Sequence, residues 1–227
     1  MPEFARTRSI FPLVKSLFPA RAEIRTEIGL TDARKARSVA TMTETRTPTA
    51  AAILAHYRPD VAAQREAREW YALAQTEARR LARKHRTTRA RAAGTIAALS
   101  PLQTWAGNVS AADRVLAAAA AGEPEAPRVG LGANVAKAWR IAQGERPLDV
   151  LSGPKVRSFY RNIMGDLSAV TVDRWAARAC GVPESFPRGA KNYAQCEHAY
   201  REAATTLGIA PAILQAIVWC SIRGRAS

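Results

Sequence analysis

The sequence predicts an all-α protein, and three observations carry this prediction. Apolar residues recur at intervals of three and four along most of the chain, which places them on one face of a helix. Residue types that begin and end helices, such as Ser, Thr, Asp, Pro and Gly, stand between these periodic segments. An alternation typical of a strand occurs only at residues 170–172. We therefore expect a bundle of helices with short connections and no internal repeat.

The chain divides into a predicted N-terminal arm, residues 1–47, and a predicted helical domain, residues 48–227. The arm mixes Arg, Thr, Pro and Ser without a sustained period, so we expect it to be flexible and basic. In the domain, helices are predicted over residues 60–85, 92–99, 111–121, 134–143, 155–164, 174–178, 193–207 and 212–222. A further helix is predicted to begin at Ser100, because Pro101 suits the first helical position and Gln103 closes a capping box.

The segment 151–178 has the most specific pattern in the chain. Gly153 and Pro154 interrupt it before the predicted helix 155–164, and a glycine stands just past the end of that helix. Asp173 then immediately precedes the next predicted helix. Asp is a preferred N-cap, so a capping role explains this residue without any further function.

The order of a tight turn, an apolar helix and a helix-opening Asp resembles the helix-hairpin-helix DNA glycosylase superfamily, which has the endonuclease III-like fold. Residues 151–155 (LSGPK) match the hairpin motif of that superfamily, and Asp173, preceded by a Val, matches its catalytic Asp. Lys155 stands in place of the second hairpin Gly. A second likeness lies at Gln103, which has the place of a Gln that fills the gap left by an extruded base. The resemblance covers roughly residues 88–222.

This resemblance implies a helix-hairpin-helix DNA glycosylase-like helical bundle, with the hairpin at about residues 148–165. Asp173 would then stabilise the positive charge that develops on the sugar as an N-glycosidic bond breaks. Lys155 is the nearby amine that can form a Schiff base with the sugar, which allows strand cleavage. The residues expected to contact DNA are Ser152, Gly153, Lys155, Arg157 and Gln103. The residues expected to stack on a flipped base are Trp105, Tyr160 and Trp175.

The composition agrees with a nucleic-acid partner. The net charge is +15 and the isoelectric point is near 10.8, a balance that favours binding to a polyanion. The chain has no apolar run of about 18 residues, so we expect no membrane span. Its three Cys are far apart and lack paired metal-ligand spacing, so we expect no metal, no cofactor and none of the four-Cys iron–sulfur clusters of some superfamily members. The expected partners are the DNA backbone and a flipped base, bound by a monomer.

Three functions are compatible with these patterns. The leading hypothesis is a DNA glycosylase that removes a damaged or modified base, including the modified bases of phage DNA. It would act in the cytoplasm of a bacterial or phage-infected cell, in association with the nucleoid. The second hypothesis is a helix-hairpin-helix protein that binds DNA without catalysis, in which Asp173 is only a cap. The third is an enzyme that uses the same Asp on modified thymine or on free nucleotides.

Overall fold

The computed structural model describes residues 47–58, residue 64 and residues 67–223, and all regular structure in these ranges is helical. The prediction of an all-α chain is confirmed for this part of the protein. In chain order the helices are α1 Ala50–Leu54, α2 Trp70–Lys84, α3 Arg89–Leu99, α4 Trp105–Ala120, α5 Gly132–Gln143, α6 Pro147–Val150, α7 Pro154–Ile163, α8 Arg174–Ala179, α9 Ala190–Leu207 and α10 Pro211–Arg223. A 3-10 turn at Phe186–Arg188 lies between α8 and α9. All but the last residue of the predicted N-terminal arm lies outside the described ranges.

The prediction of one helix over residues 60–85 is wrong in part. Helix α2 begins only at Trp70, after a turn at residues 68–69. Ala67 and Tyr71, on either side of this turn, are both buried, so the apolar spacing continues across the break. Periodicity therefore did not reveal the turn. Part of the predicted helix lies outside the described residues.

The prediction that a helix begins at Ser100 is also wrong. Ser100 ends α3 instead, and its hydroxyl donates a hydrogen bond back to the Ala97 carbonyl. Leu102 then takes a positive φ of 62°, and Thr104 caps α4 by accepting a hydrogen bond from a backbone N–H in its first turn. Ser and Thr are both good N-caps, so local chemistry did not choose between the two candidates. Gln103 consequently lies in the loop before α4 and closes no capping box.

Two hydrophobic cores meet at α10. The larger core is built mainly from α2 to α7, and the second from α1, the residues around α8, and α9. Helix α10 contributes Ala212 and Ala216 to the larger core, and Leu214 and Val218 to the second. Because side chains of this one helix enter both cores, α10 fixes how the two cores sit against each other.

No single helix in the described part of the chain is long and apolar enough to cross a membrane. Helices α9 and α10 pass together by length and composition, with a bend of 99° between them.

A carboxylate with two basic partners joins the end of α2 to α4. Asp113 accepts a hydrogen bond of 2.6 Å from Lys84 Nζ and contacts His85 Nε2 at 2.5 Å. Burial by itself would raise the pKa of the Asp113 carboxyl, but the hydrogen bonds from Lys84 and His85 outweigh it and hold the pKa below its ordinary value. The folded state therefore favours the charged form of this carboxyl.

Replacing Asp113 with Asn is expected to lower the free energy of unfolding by about 1 kcal/mol near neutral pH, because both charged hydrogen bonds are lost from a partly exposed site. The folded pKa of Asp113 lies below the unfolded value, so this contribution is present above about pH 4 and is lost as the pH falls through the folded pKa. Urea unfolding of both proteins over this range measures the difference. Asp149→Asn, at a largely exposed carboxylate, is the matched control. A difference that does not shrink in acid would contradict this prediction.

Candidate functional site

A cavity of about 650 Å³ opens between α2, α4, α7, the start of α8 and α10. Six of the side chains that line it are aromatic: Trp70, Tyr71, Trp105, Phe159, Trp175 and Trp219. The ring centroid of Trp70 lies 5.2 Å from that of Trp105 and 5.9 Å from that of Phe159, so these three rings form one packed wall. Such a wall suits a planar ligand that is partly apolar.

Asp173 lines this cavity and caps α8, as its position in the sequence predicted. Its Oδ1 accepts hydrogen bonds from the backbone N–H groups of Trp175, at 3.0 Å, and Ala176, at 2.9 Å. Its Oδ2 accepts a hydrogen bond of 3.0 Å from the indole Nε1 of Trp219, on α10. Both carboxylate oxygens are therefore held in place, one by the helix that follows and the other by a distant helix.

The loop that leads to Asp173 is tied to α7 by one buried amide. Asn162 is fully buried, and its Nδ2 donates hydrogen bonds of 2.8 Å to the carbonyls of Asp166 and Ala169. Its Oδ1 accepts a hydrogen bond of 2.8 Å from the hydroxyl of Thr171. All three partners lie within the ten residues that precede Asp173, so this amide sets the path of the chain into the cavity.

A tyrosine on α9 holds the same loop from the other side. The Tyr193 hydroxyl donates to the carbonyl of Val170, at 2.8 Å, and accepts from the N–H of Val172, at 2.9 Å. Burial is the main reason that the pKa of Tyr193 rises to about 12, so the hydroxyl keeps its proton at neutral pH. The Tyr193 side chain takes the carbonyl of Val170 and the N–H of Val172 as its partners, which explains why the alternating pattern at residues 170–172 did not produce a strand.

Two buried amides lie in the wall of the cavity. Gln215, on α10, is 5 % exposed, and its Oε1 accepts a hydrogen bond of 2.8 Å from the hydroxyl of Tyr71. Burial raises the pKa of Tyr71 well above its ordinary value, so this phenol remains a donor. Asn108, on α4, is 2 % exposed, and its Oδ1 is buried without a hydrogen-bond partner among the described residues. The cavity thus combines aromatic walls with a small number of polar groups.

A smaller hollow of about 220 Å³ adjoins the cavity. Lys155, Asp173 and Arg174 line both, and Gly153 and Arg188 line only the smaller one. Gly153 caps α7 with a φ of +82°, and a Cβ added to it would meet nothing within 4 Å. The glycine is therefore required by backbone conformation and not by space. Its lining carries three basic residues, Lys155, Arg174 and Arg188, and two acidic ones, Asp173 and Glu184, so the hollow is basic by one charge, and it lies at the N-terminus of α7.

Trp175 stands at the edge of the cavity between two arginines of its own helix. The guanidinium carbons of Arg174 and Arg178 lie 5.1 Å and 4.6 Å from the centroid of its ring. At these distances the arginines attract the ring electrostatically and stabilise its position. The ring itself is half-buried.

Five of the residues predicted from sequence are brought together at the cavity: Gln103, Trp105, Lys155, Asp173 and Trp175. These residues come from the loop before α4, from α4 itself, from α7 and from the start of α8. Trp105 is nearly buried in the wall, whereas Gln103 is exposed at the mouth. Gly153 lies beside them in the smaller hollow.

Three predicted site residues line neither cavity. Tyr160 belongs to the larger hydrophobic core, so the structure does not bring it to either cavity. It lies on the buried face of α7, and the spacing of apolar residues did not separate this face from the one that borders the cavity. Arg157 is exposed on the same helix. Ser152 is exposed in the turn, where its hydroxyl accepts a hydrogen bond of 2.6 Å from Lys137 Nζ.

Sequence reasoning missed several residues that line the cavity: Trp70, Tyr71, Leu102, Asn108, Phe159, Gln215 and Trp219. One signal was available for the amides. Asn108 and Gln215 are polar residues on helix faces that are otherwise apolar and buried. A polar residue in such a position needs a partner, and a ligand is one way to supply it. No comparable signal existed for Leu102.

The comparison with known proteins identifies a family but no individual relative. A family model described as a family of unknown function, DUF7178, matches residues 38–226, which include both cavities. The comparisons with curated proteins and with solved structures found no match. Within the described residues, no group of three or more His, Cys, Asp or Glu side chains is arranged to hold a metal ion.

Proposed function

The chain belongs to DUF7178, a family of unknown function, and we propose from the geometry of its cavity that it is a DNA glycosylase. It would hydrolyse the N-glycosidic bond between a damaged or modified base and its sugar. The observation that carries this proposal is the position of Asp173, whose carboxylate lines both the aromatic cavity and the basic hollow. A flipped base fits the first, a phosphate fits the second, and the sugar between them would lie at the carboxylate.

The chemistry requires a carboxylate beside the sugar. Breaking the bond to the base develops positive charge on the sugar ring, and a nearby carboxylate stabilises that charge. Three N–H donors orient the oxygens of Asp173, so the group need not reorganise as the bond breaks. The same carboxylate can orient a water molecule and take its proton as the water attacks the sugar.

Binding to DNA is supported by the turn before α7. Helix α6, the turn at residues 151–153 and α7 form a helix-turn-helix unit that we interpret as a DNA-binding hairpin. The N-terminus of α7 attracts a phosphate, and Lys155, Arg174 and Arg188 add positive charge around the adjoining hollow. With a net charge of +15, binding should weaken steeply as salt is added.

Lys155 lines both the cavity and the hollow, which leaves two roles open to its amine. We assign it the contact with the phosphate next to the flipped nucleotide, because the hollow is basic. Attack of the amine on the sugar would instead form a Schiff base and lead to strand cleavage. Cleavage of the DNA strand by the purified protein would reverse this assignment.

Leu102 is suited to keep the DNA open while a base is flipped. It lies at the mouth of the cavity, is 89 % exposed and has a φ of +62°, which is strained for a side chain other than glycine. Backbone strain and an exposed apolar side chain both lower the stability of the folded protein. Such features are found at functional sites, where the function compensates for the loss of stability. Proteins that distort DNA insert apolar wedges between bases, and Leu102, with Gln103 beside it, fits this role.

Replacing Leu102 with Ala is expected to slow base release from duplex DNA by about ten-fold, because the vacated place in the stack is no longer filled. Release from single-stranded DNA should change little, since no stack must be opened. Initial rates on the two substrates measure the effect, and Leu73→Ala, at a partly exposed leucine on α2 that lines neither cavity, is the control. Equal slowing on both substrates would contradict the proposed role of Leu102 as a wedge between bases.

The proposal is tested by the release of bases. The full chain is incubated with genomic DNA from several sources, including modified phage DNA, and with the corresponding free nucleotides, and freed bases are identified by mass spectrometry. A glycosylase should release a base from DNA and leave an abasic site. Tight, salt-sensitive binding without release from any DNA would favour a protein that only binds DNA. Release from free nucleotides alone would favour the third hypothesis.

A further inference from the structure

The amides of Asn108 and Gln215 lie in the cavity wall, and the chemistry at Asp173 uses neither of them. They come from α4 and α10, so they are brought together only by the packing of the helices. Both belong to buried residues that line the same cavity. Two buried amides facing one aromatic-walled cavity are an arrangement that can recognise the polar edge of a ring.

Asn108 has a hydrogen-bonding group that is left unused. Its Oδ1 is buried and has no partner in the described part of the chain. A buried acceptor without a donor is destabilising, and nearly all such groups in folded proteins are paired. This oxygen is itself covered, so a small rotation of the amide in the cavity wall would bring it to a ligand that offers an N–H group and supplies the missing donor.

Gln215 can donate a hydrogen bond to a ligand, whereas Asn108 can accept one. The Tyr71 hydroxyl donates to its Oε1 at 2.8 Å, and burial keeps that hydroxyl protonated. This hydrogen bond fixes the orientation of the amide, so Nε2 is the group of Gln215 that remains to serve a ligand. A ligand that offers a carbonyl or ring nitrogen here would accept from it.

The charge of the cavity narrows the choice of ligand. The ionisable groups that carry charge along its lining are Asp173, Lys155 and Arg174, one acidic and two basic. These charges by themselves do not favour a cationic ring, such as a base alkylated on a ring nitrogen, and the aromatic walls attract cationic and neutral rings alike. A neutral ring that carries both a donor and an acceptor on one edge satisfies both amides.

We propose that Asn108 and Gln215 select the substrate by reading the edge of a neutral base, Asn108 accepting from an N–H group and Gln215 donating to a neighbouring carbonyl or ring nitrogen. This inference rests on the proposed glycosylase function and adds the class of base to it. The aromatic walls then bind any planar ring, and the two amides reject rings that lack the polar edge.

The test measures binding of free rings to the full-length protein by calorimetry, and so it does not require catalysis. The probes are uracil, cytosine, adenine and hypoxanthine, which are neutral and carry donors and acceptors, and naphthalene, which is planar but has neither. Asn108→Leu and Gln215→Met remove the amides at similar size. Ser110→Ala, at an exposed position two residues further along α4, is the control.

We expect at least one of the bases to bind the wild type, and each amide variant to bind it at least about ten-fold more weakly, with naphthalene binding unchanged. The unfolding temperature of Asn108→Leu should be equal to or higher than that of the wild type, because an unpaired acceptor is removed. A lower unfolding temperature with unchanged affinity for the base would assign Asn108 a structural role and overturn the inference.

Two outcomes separate this inference from the function on which it rests. If the variants bind and release the same base as well as the wild type does, the proposed glycosylase function is retained, and the proposal that the two amides select the base is wrong. If the wild type binds none of the bases and releases none from DNA, both are wrong.

Discussion

Replacing Asp173 with Asn is expected to slow base release by about 10²–10⁴-fold, because the charge that stabilises the sugar and the group that takes the proton of water are both removed. Asn is as good an N-cap as Asp, so the hydrogen bonds to the start of α8 should remain. The carboxylate oxygen that accepts from Trp219 is replaced by an amide NH₂ group, which cannot accept that bond. We therefore expect a loss of about 1 kcal/mol in stability, which is small beside the loss of activity.

Single-turnover rates and DNA affinity, measured on the same samples, separate catalysis from binding. The affinity of Asp173→Asn for DNA should equal or exceed that of the wild type, since one negative charge has been removed near the phosphates. The control is Glu202→Gln, which removes an exposed carboxylate on α9, outside both cavities and the hairpin, and should leave the rate unchanged. A variant at Asp173 that releases bases at the wild-type rate would reduce this residue to a helix cap.

Replacing Asn162 with Ala is expected to lower the free energy of unfolding by about 3 kcal/mol, because two buried groups and one part-buried group lose their partner at once. These groups are the carbonyls of Asp166 and Ala169 and the hydroxyl of Thr171. For a chain of this size, that loss corresponds to a fall of about 10 °C in the unfolding temperature. Calorimetry or urea unfolding measures it directly.

The same substitution should also reduce activity at temperatures where the variant is still folded, since the loop that it releases carries Asp173. Tyr193→Phe removes the second support of this loop, a donated and an accepted hydrogen bond, and should cost about 2 kcal/mol. Asn134→Ala shortens a half-buried Asn in α5 and serves as the control. If Asn162→Ala cost less than about 1 kcal/mol, the loop would be held by contacts other than this amide.

The sequence by itself determined the local parts of the site. The turn at Gly153, the helix that follows it and the capping of α8 by Asp173 were all predicted and are confirmed. These features depend on a positive φ, on a proline at the first turn and on a side chain that reaches a backbone N–H within three residues. Interactions of such short range are determined by neighbouring residue types, so they can be predicted from the sequence.

The tertiary structure alone decided which groups surround Asp173. Its second oxygen meets Trp219 at a separation of 46 residues, and Tyr71 meets Gln215 at a separation of 144. Packing also decided that α4 begins after Thr104 and not at Ser100, where local chemistry allowed either. Such contacts depend on how whole helix faces pack, and the apolar spacing that predicts a helix does not say which other helix its face will meet.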